Sequence, residues 1–213
     1  MLTAVLLGFV LGLRHAFDPD HVIAVSTILS RHRSVWTASW IGISWGIGHG
    51  ATLLAIGFLV IALQVAIPAG FAQAMELGIG VLLVLLGFAN LLAATPPQAS
   101  PLAPHAGSLR ASFARSGALG LAHGLAGSAP VALLAMAAMP TAGAALAYLL
   151  VFGVGTIAGM VAFSLTLGIP VARLGASAPF SRWVTACTGV VSLLFGAWVI
   201  YEIGFAAAQR GAV

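Results

Sequence analysis

Six stretches of apolar residues, at 2–29, 35–63, 71–93, 116–138, 142–169 and 183–205, are separated by polar or proline-bearing segments. A helix needs roughly 20 apolar residues to cross a hydrocarbon core, and each stretch meets that length. Those near 30 residues exceed it, so tilt or interruption is expected in them. The pattern predicts an all-α integral membrane protein of six transmembrane helices. The first stretch reads as a span rather than a removed signal, since no basic region precedes it and no small-residue cleavage site follows. The connections are short except for 94–115, which holds Pro96, Pro97, Pro101, Pro104, Gly107 and several serines. That composition predicts a flexible linker between two halves, 1–93 and 116–213.

The first stretch carries an interruption that a plain span does not need. It reads Arg14-His15-Ala16-Phe17-Asp18-Pro19-Asp20-His21, five ionisable side chains in eight positions with apolar residues on both sides. A charged residue at mid-membrane costs about 2.5–3.5 kcal/mol on insertion scales, so the segment calls for pairing, a watery cavity or a bound ion. Imidazole and carboxylate together suit borderline divalent cations such as nickel, cobalt or zinc. On a straight helix His15, Asp18 and His21 fall within an arc of about 120°, and Asp20 points nearly the opposite way. Pro19 cannot donate to the carbonyl of His15 and clashes with it, so the first helix is expected to kink or break there. A break would free backbone carbonyls and swing Asp20 toward the two histidines, a device that transporters use at discontinuous helices.

Charge sets the orientation and excludes other classes. The chain is 61% hydrophobic and 6% charged, has no lysine, and owes its formal net charge of +4 to arginine. The first, third and fifth connections hold Arg31 and Arg33, Arg110 and Arg115, and Arg173 and Arg182, while the second and fourth hold none. The positive-inside rule makes the odd connections cytoplasmic and puts both termini outside, with Arg210 as a dissenting charge. These arginines form no stripe, so a nucleic-acid partner is excluded. A single cysteine, Cys187, excludes an intramolecular disulfide or a Cys-x-x-Cys redox pair. No Gly-x4-Gly-Lys-Ser/Thr loop is present, so ATP coupling would need another chain.

The two halves echo each other. Gly12-Leu13-Arg14-His15 is answered by Gly120-Leu121-Ala122-His123, Gly46-Ile47-Gly48 by Gly153-Val154-Gly155, and Gly80…Gly87 by Gly189…Gly196, all at nearly constant offset. Three spans per half is an odd number, so the second copy would be inverted in the membrane, with the substrate site at the interface of the repeats. Gly42, Gly46 and Gly50, Gly120 and Gly124, and Gly155 and Gly159 recur every four residues, a spacing that allows close helix contact.

The His15…Asp20-His21 pattern preceded by Arg14, together with the Gly48-His49 pair in the second span, resembles the signatures of the nickel/cobalt transporter family. Ser-Thr usually follows that second histidine, where this chain has Gly50-Ala51-Thr52. The acidic motif of a later helix is absent, and Gly120-Leu121-Ala122-His123-Gly124 stands in its place. In this the chain is similar to the smaller, urease-accessory-permease-like branch. The resemblance implies recognition and uptake of divalent nickel or cobalt, with a metalloenzyme maturation system such as that of urease or hydrogenase as a partner.

The site expected is His15, Asp20, His21 and His49 as metal ligands. Asp18 and His123 are candidates for ligation or for an ion path, with Ser128 and Thr156 as alternative partners for His123. Glu76 is a candidate entrance residue, with snorkelling as its plainer role. Arg14 is expected to neutralise an aspartate. No prosthetic group is expected, the metal being cargo, and no enzymatic activity is expected. The glycine faces permit a homo-oligomer. An exporter, a non-transporting metal-binding subunit of a larger complex, and a small-solute exporter with structural histidines stay open as alternatives. A His-rich cytoplasmic loop would favour export, and the long loop offers only His105.

Overall fold

The computed structural model describes residues 2–32, 34–63, 68–95, 109–139, 141–174 and 178–206, and the side chains of 2–5, 126–138 and a few helix-end residues lie outside that description. Arg33, His105, Ser128, Arg210 and most of the expected linker fall on the undescribed positions. Among the described residues the fold is all-helical: α1 Leu2–His15, α2 Pro19–Leu29, α3 Val35–Leu63, α4 Ala69–Ala94, α5 Leu109–Ala138, α6 Ala142–Leu174 and α7 Ala178–Tyr201, with a π-helical turn Glu202–Ala206 after the last.

The first apolar stretch is two helices. Asp18 precedes a proline, and a pre-proline residue is pushed out of the helical region by the ring. It accordingly sits extended at φ −61° and ψ 143°, as the residue before α2, with Pro19 in the first turn. Between the helices the chain tightens, Phe17 N donating to Arg14 O at 2.9 Å and Asp18 N to His15 O at 3.0 Å. At 14 and 11 residues, neither α1 nor α2 alone reaches the length of a span.

Among the described residues four helices are long and apolar enough to cross a membrane: Val35–Leu63, Gly70–Ala94, Ala142–Arg173 and Pro179–Phe205. Their outward faces carry Phe58, Leu59, Leu85, Phe88, Leu194 and Trp198, all exposed. So many large apolar side chains facing outward suit lipid rather than water. The protein is a multi-pass membrane protein. The linker differs from expectation, because α5 begins at Leu109 and so takes up 109–115. Leu109-Arg110-Ala111-Ser112-Phe113-Ala114-Arg115 contains neither proline nor glycine, and its polar residues hid the helix onset from an apolar-run reading.

Packing follows the glycines. α3 lies between α5 and α6, α1 lies on α6, and α4 lies on α7. A Cβ at Gly12 would strike the carbonyl of Phe152, and one at Gly120 would strike the carbonyl of Trp45. A Cβ at Gly155 would meet Phe9 and Leu13, and one at Gly48 would meet Gly117 and Leu121. Gly80 faces Gly196, and Gly87 faces Gly189. Gly50 differs from the others in this row of α3, with nothing within 4 Å of its Cβ position. The core behind these contacts centres on Trp45, Ile41, Leu83 and Met160 on one side and on Leu53, Leu149 and Phe152 on the other.

A buried amide holds the far end of α2. Asn90 of α4 donates to Thr27 O at 2.9 Å, Ser30 Oγ at 3.0 Å and Thr188 Oγ1 at 3.2 Å, and accepts from Arg31 Nε. Thr185 of α7 adds a hydrogen bond to Ser30 O at 3.2 Å. In the turn beyond, burial foremost, with the Arg31 and Arg115 guanidinium groups added, holds His32 below the usual histidine range.

Candidate metal centre

The break between α1 and α2 converts a helical spacing into a cluster. His15 is the last residue of α1, Asp18 lies in the turn, and Asp20 and His21 occupy the first turn of α2. His49 comes from the middle of α3 and His123 from α5, two helices brought close to each other by Gly48 on Gly117, Gly120 on Trp45 and Gly124 on the His49 carbonyl. His21 is at the centre: its ring lies 4.7 Å from His15, 4.7 Å from His49 and 4.5 Å from His123. Phe152 stands 5.4 Å from His15, and Trp45 stands 5.3 Å from His123, so two aromatic rings wall the cluster.

The polar contacts are specific. His15 Nδ1 lies 2.7 Å from Asp18 Oδ2, and its Nε2 lies 3.1 Å from His49 Nε2. Two nitrogens bound to one metal at about 2 Å each stand about 3 Å apart, so His15 and His49 already have that separation. Asp20 reaches His21 Nδ1 with Oδ1 at 3.2 Å and His123 Nε2 with Oδ2 at 2.7 Å. A carboxylate that fixes one ring nitrogen orients the other toward a metal, which is the relation of Asp18 to His15.

Among the described residues two groups have ligand atoms within 4.8 Å of one another: His15, His21 and His49, and Asp20, His21 and His123. Access is graded. The Asp18 and Asp20 side chains are 47% and 32% exposed, His15 14%, and His21 1%. His49 and His123 are buried as well. The carboxylates are therefore the more exposed members of the cluster and the imidazoles the more buried. Among the described residues five buried side-chain polar atoms have no partner, and three of them, His21 Nε2, His49 Nδ1 and His123 Nδ1, belong here. A buried group left unpaired costs about 1–3 kcal/mol, so this concentration marks a place built to receive something.

The structure brings together His15, Asp18, Asp20, His21, His49 and His123. It does not carry Asp20 toward both first-helix histidines: that carboxylate joins His21 to His123 instead. His123 thus has a partner other than Thr156, whose hydroxyl donates to Gly12 O and Phe152 O. Arg14 is exposed, and among the described residues it has no ion pair; Asp18 is held by His15 rather than by the guanidinium. Glu76 is half-buried on α4 and belongs to neither group of ligands. Trp45 and Phe152 were not singled out by sequence. They occupy the two positions just before Gly46 and Gly153, so the internal echo carried a signal for them.

The chain is 34% identical over 215 residues to the urease accessory protein UreH of Bacillus sp. (strain TB-90), an alignment covering 96% of this chain and 93% of that protein. It is 28% identical over 187 residues to the chloroplast protein FOR GROWTH AND FERTILITY 1 of Arabidopsis thaliana, covering 78% of this chain and 50% of that one. No protein-family model and no solved structure matches the chain.

Proposed function

We propose that this chain, which belongs to the family of the urease accessory protein UreH, is a membrane carrier, not an enzyme, that takes up divalent nickel or cobalt through the cluster at the α1–α2 break. The observation that carries the reading is the cluster of four histidines, His21 with His15, His49 and His123 around it, inside a multi-pass membrane protein, three of them buried with an unpaired ring nitrogen. The relative's name supplies a use for the cargo. Urease maturation is the proposed destination of the metal in the cell that makes this chain.

In the proposed mechanism the ion arrives at Asp18 and Asp20, whose charge attracts it and whose exposure lets it keep part of its water. It then exchanges that water for imidazole nitrogens of His15, His21 and His49. Imidazole ligates in its neutral form and carboxylate in its ionised form, so protons arriving at the site oppose binding and favour release.

The proposed architecture is six spans in two inverted three-helix halves, α1 and α2 together forming the first. Its support is the exchange of contacts between the halves. Gly12 on Phe152 corresponds to Gly120 on Trp45, Gly155 on Phe9 and Leu13 to Gly48 on Gly117 and Leu121, and Gly80 on Gly196 to Gly189 on Gly87. The arginine distribution supports cytoplasmic odd connections and external termini, in the plasma membrane.

The test is accumulation of trace nickel and cobalt by cells making the native chain or His21→Ala at matched membrane levels. The expected outcome is accumulation several-fold above empty cells, falling to their level in the variant. Metal below the empty-cell level, restored in the variant, would mean export. Equality of all three would overturn autonomous transport and point to a metal-binding subunit of a larger assembly.

A further inference from the structure

The metal cluster divides at His21. His15, His21 and His49 come from α1, α2 and α3, all in the first half of the chain, whereas Asp20, His21 and His123 join α2 to α5 in the second. The residue common to both is the most enclosed of the four at the break, and its ring touches each of the other imidazoles. His49 and His123 stand on its far sides, their rings 6.2 Å apart. Each group keeps an unpaired buried ring nitrogen apart from His21 itself, Nδ1 of His49 in one and Nδ1 of His123 in the other.

We propose that these are two mutually exclusive metal seats that share His21, and that the ion passes from the first to the second. The inference rests on the metal-carrier reading and deepens it by assigning His123 and Asp20 to a second seat that spans the two halves. A neutral imidazole has one lone pair between its two nitrogens. His21 can therefore complete one seat at a time, and the protein holds one ion although it offers ligands for two.

The chemistry of the two seats differs. The first presents three neutral imidazoles, the second two imidazoles and a carboxylate. Moving between them exchanges His15 and His49 for Asp20 and His123. In either seat the ion has three protein ligands, inside a membrane where an unpaired charge is costly. Because the second seat spans α2 and α5, its occupation draws the halves together, which gives the ion a means of reporting its position to the fold.

The experiment uses the full chain purified in detergent with cobalt(II) as probe, read by equilibrium dialysis with metal analysis and by visible absorption of the bound ion. Native protein is expected to bind one cobalt per chain. His49→Ala and His123→Ala are each expected to keep one cobalt, with affinity reduced roughly tenfold and with different absorption bands, because each retains a different seat. His21→Ala is expected to lose more than a hundredfold. Accumulation by cells is expected to fall at least tenfold in both His49→Ala and His123→Ala. Asp20→Asn serves as a second variant on the His123 side and is expected to match the His123→Ala spectrum. Two cobalt ions per native chain, identical spectra in His49→Ala and His123→Ala, or a His123→Ala protein that binds and accumulates as the native does, would each overturn the two-seat assignment. The dialysis and spectra test the seats whether or not native cells accumulate metal, so failure of uptake and failure of the seats are read separately.

Discussion

At the scale of single residues, side chains here are chosen as much for what they leave out as for what they add. Gly12 and Gly120 let one backbone lie against another where any Cβ would strike a carbonyl. Gly50 carries no such duty although it lies in the same row as Gly42 and Gly46. Gly12→Ala is therefore expected to lower stability by about 1–3 kcal/mol through overpacking, and Gly50→Ala to stay within about 0.5 kcal/mol of native. Thermal unfolding in detergent distinguishes them. A Gly12→Ala protein as stable as the native one would mean that α1 and α6 separate freely. Asp18 also trades one role for another. It stands where a helix cap usually bonds its own backbone, yet makes no such bond and holds His15 instead.

At the scale of elements the decisive feature is the break that Pro19 imposes. Pro19→Ala allows α1 to run into α2, which turns Asp20 and His21 away from His49 and His123. Cobalt binding is expected to weaken at least tenfold while the protein stays folded, and native-like binding in the variant would show that the turn does not set the ligands. This break was legible in the sequence because proline obeys a local steric rule. The bounds of α3 were legible too, since residues 35–63 form a mainly apolar run with no Asp, Glu, Lys, Arg or Pro in it. The start of α5 was not, because its first two turns mix arginine and serine with apolar residues and so carry no membrane signature. The pairing of Asp20 with His123 was beyond sequence reasoning. It joins positions 103 residues apart, and its direction depends on how far the break rotates α2, which no spacing rule fixes.

At the scale of the whole molecule the native chain offers a direct check of its orientation, because Cys187 is its only cysteine. In a Cys187→Ser chain, Pro68→Cys and Thr141→Cys are expected to react with a membrane-impermeant maleimide on intact cells, and Ser34→Cys to react only after the membrane is opened. The reverse pattern would place the odd connections outside. Orientation matters more than usual for a framework whose glycine contacts exchange between its halves. A scaffold that maps onto itself when turned over has no front or back of its own. In the proposed inverted arrangement, sidedness is then a property of a few side chains: both aspartates of the site lie in the first half, and Thr156 takes the place in the second half that His49 has in the first. Which face loads and which face empties is decided by that inequality and by the metal and proton gradients across the membrane, so direction of flow should yield to changes at a handful of ligands while the helices remain as they are.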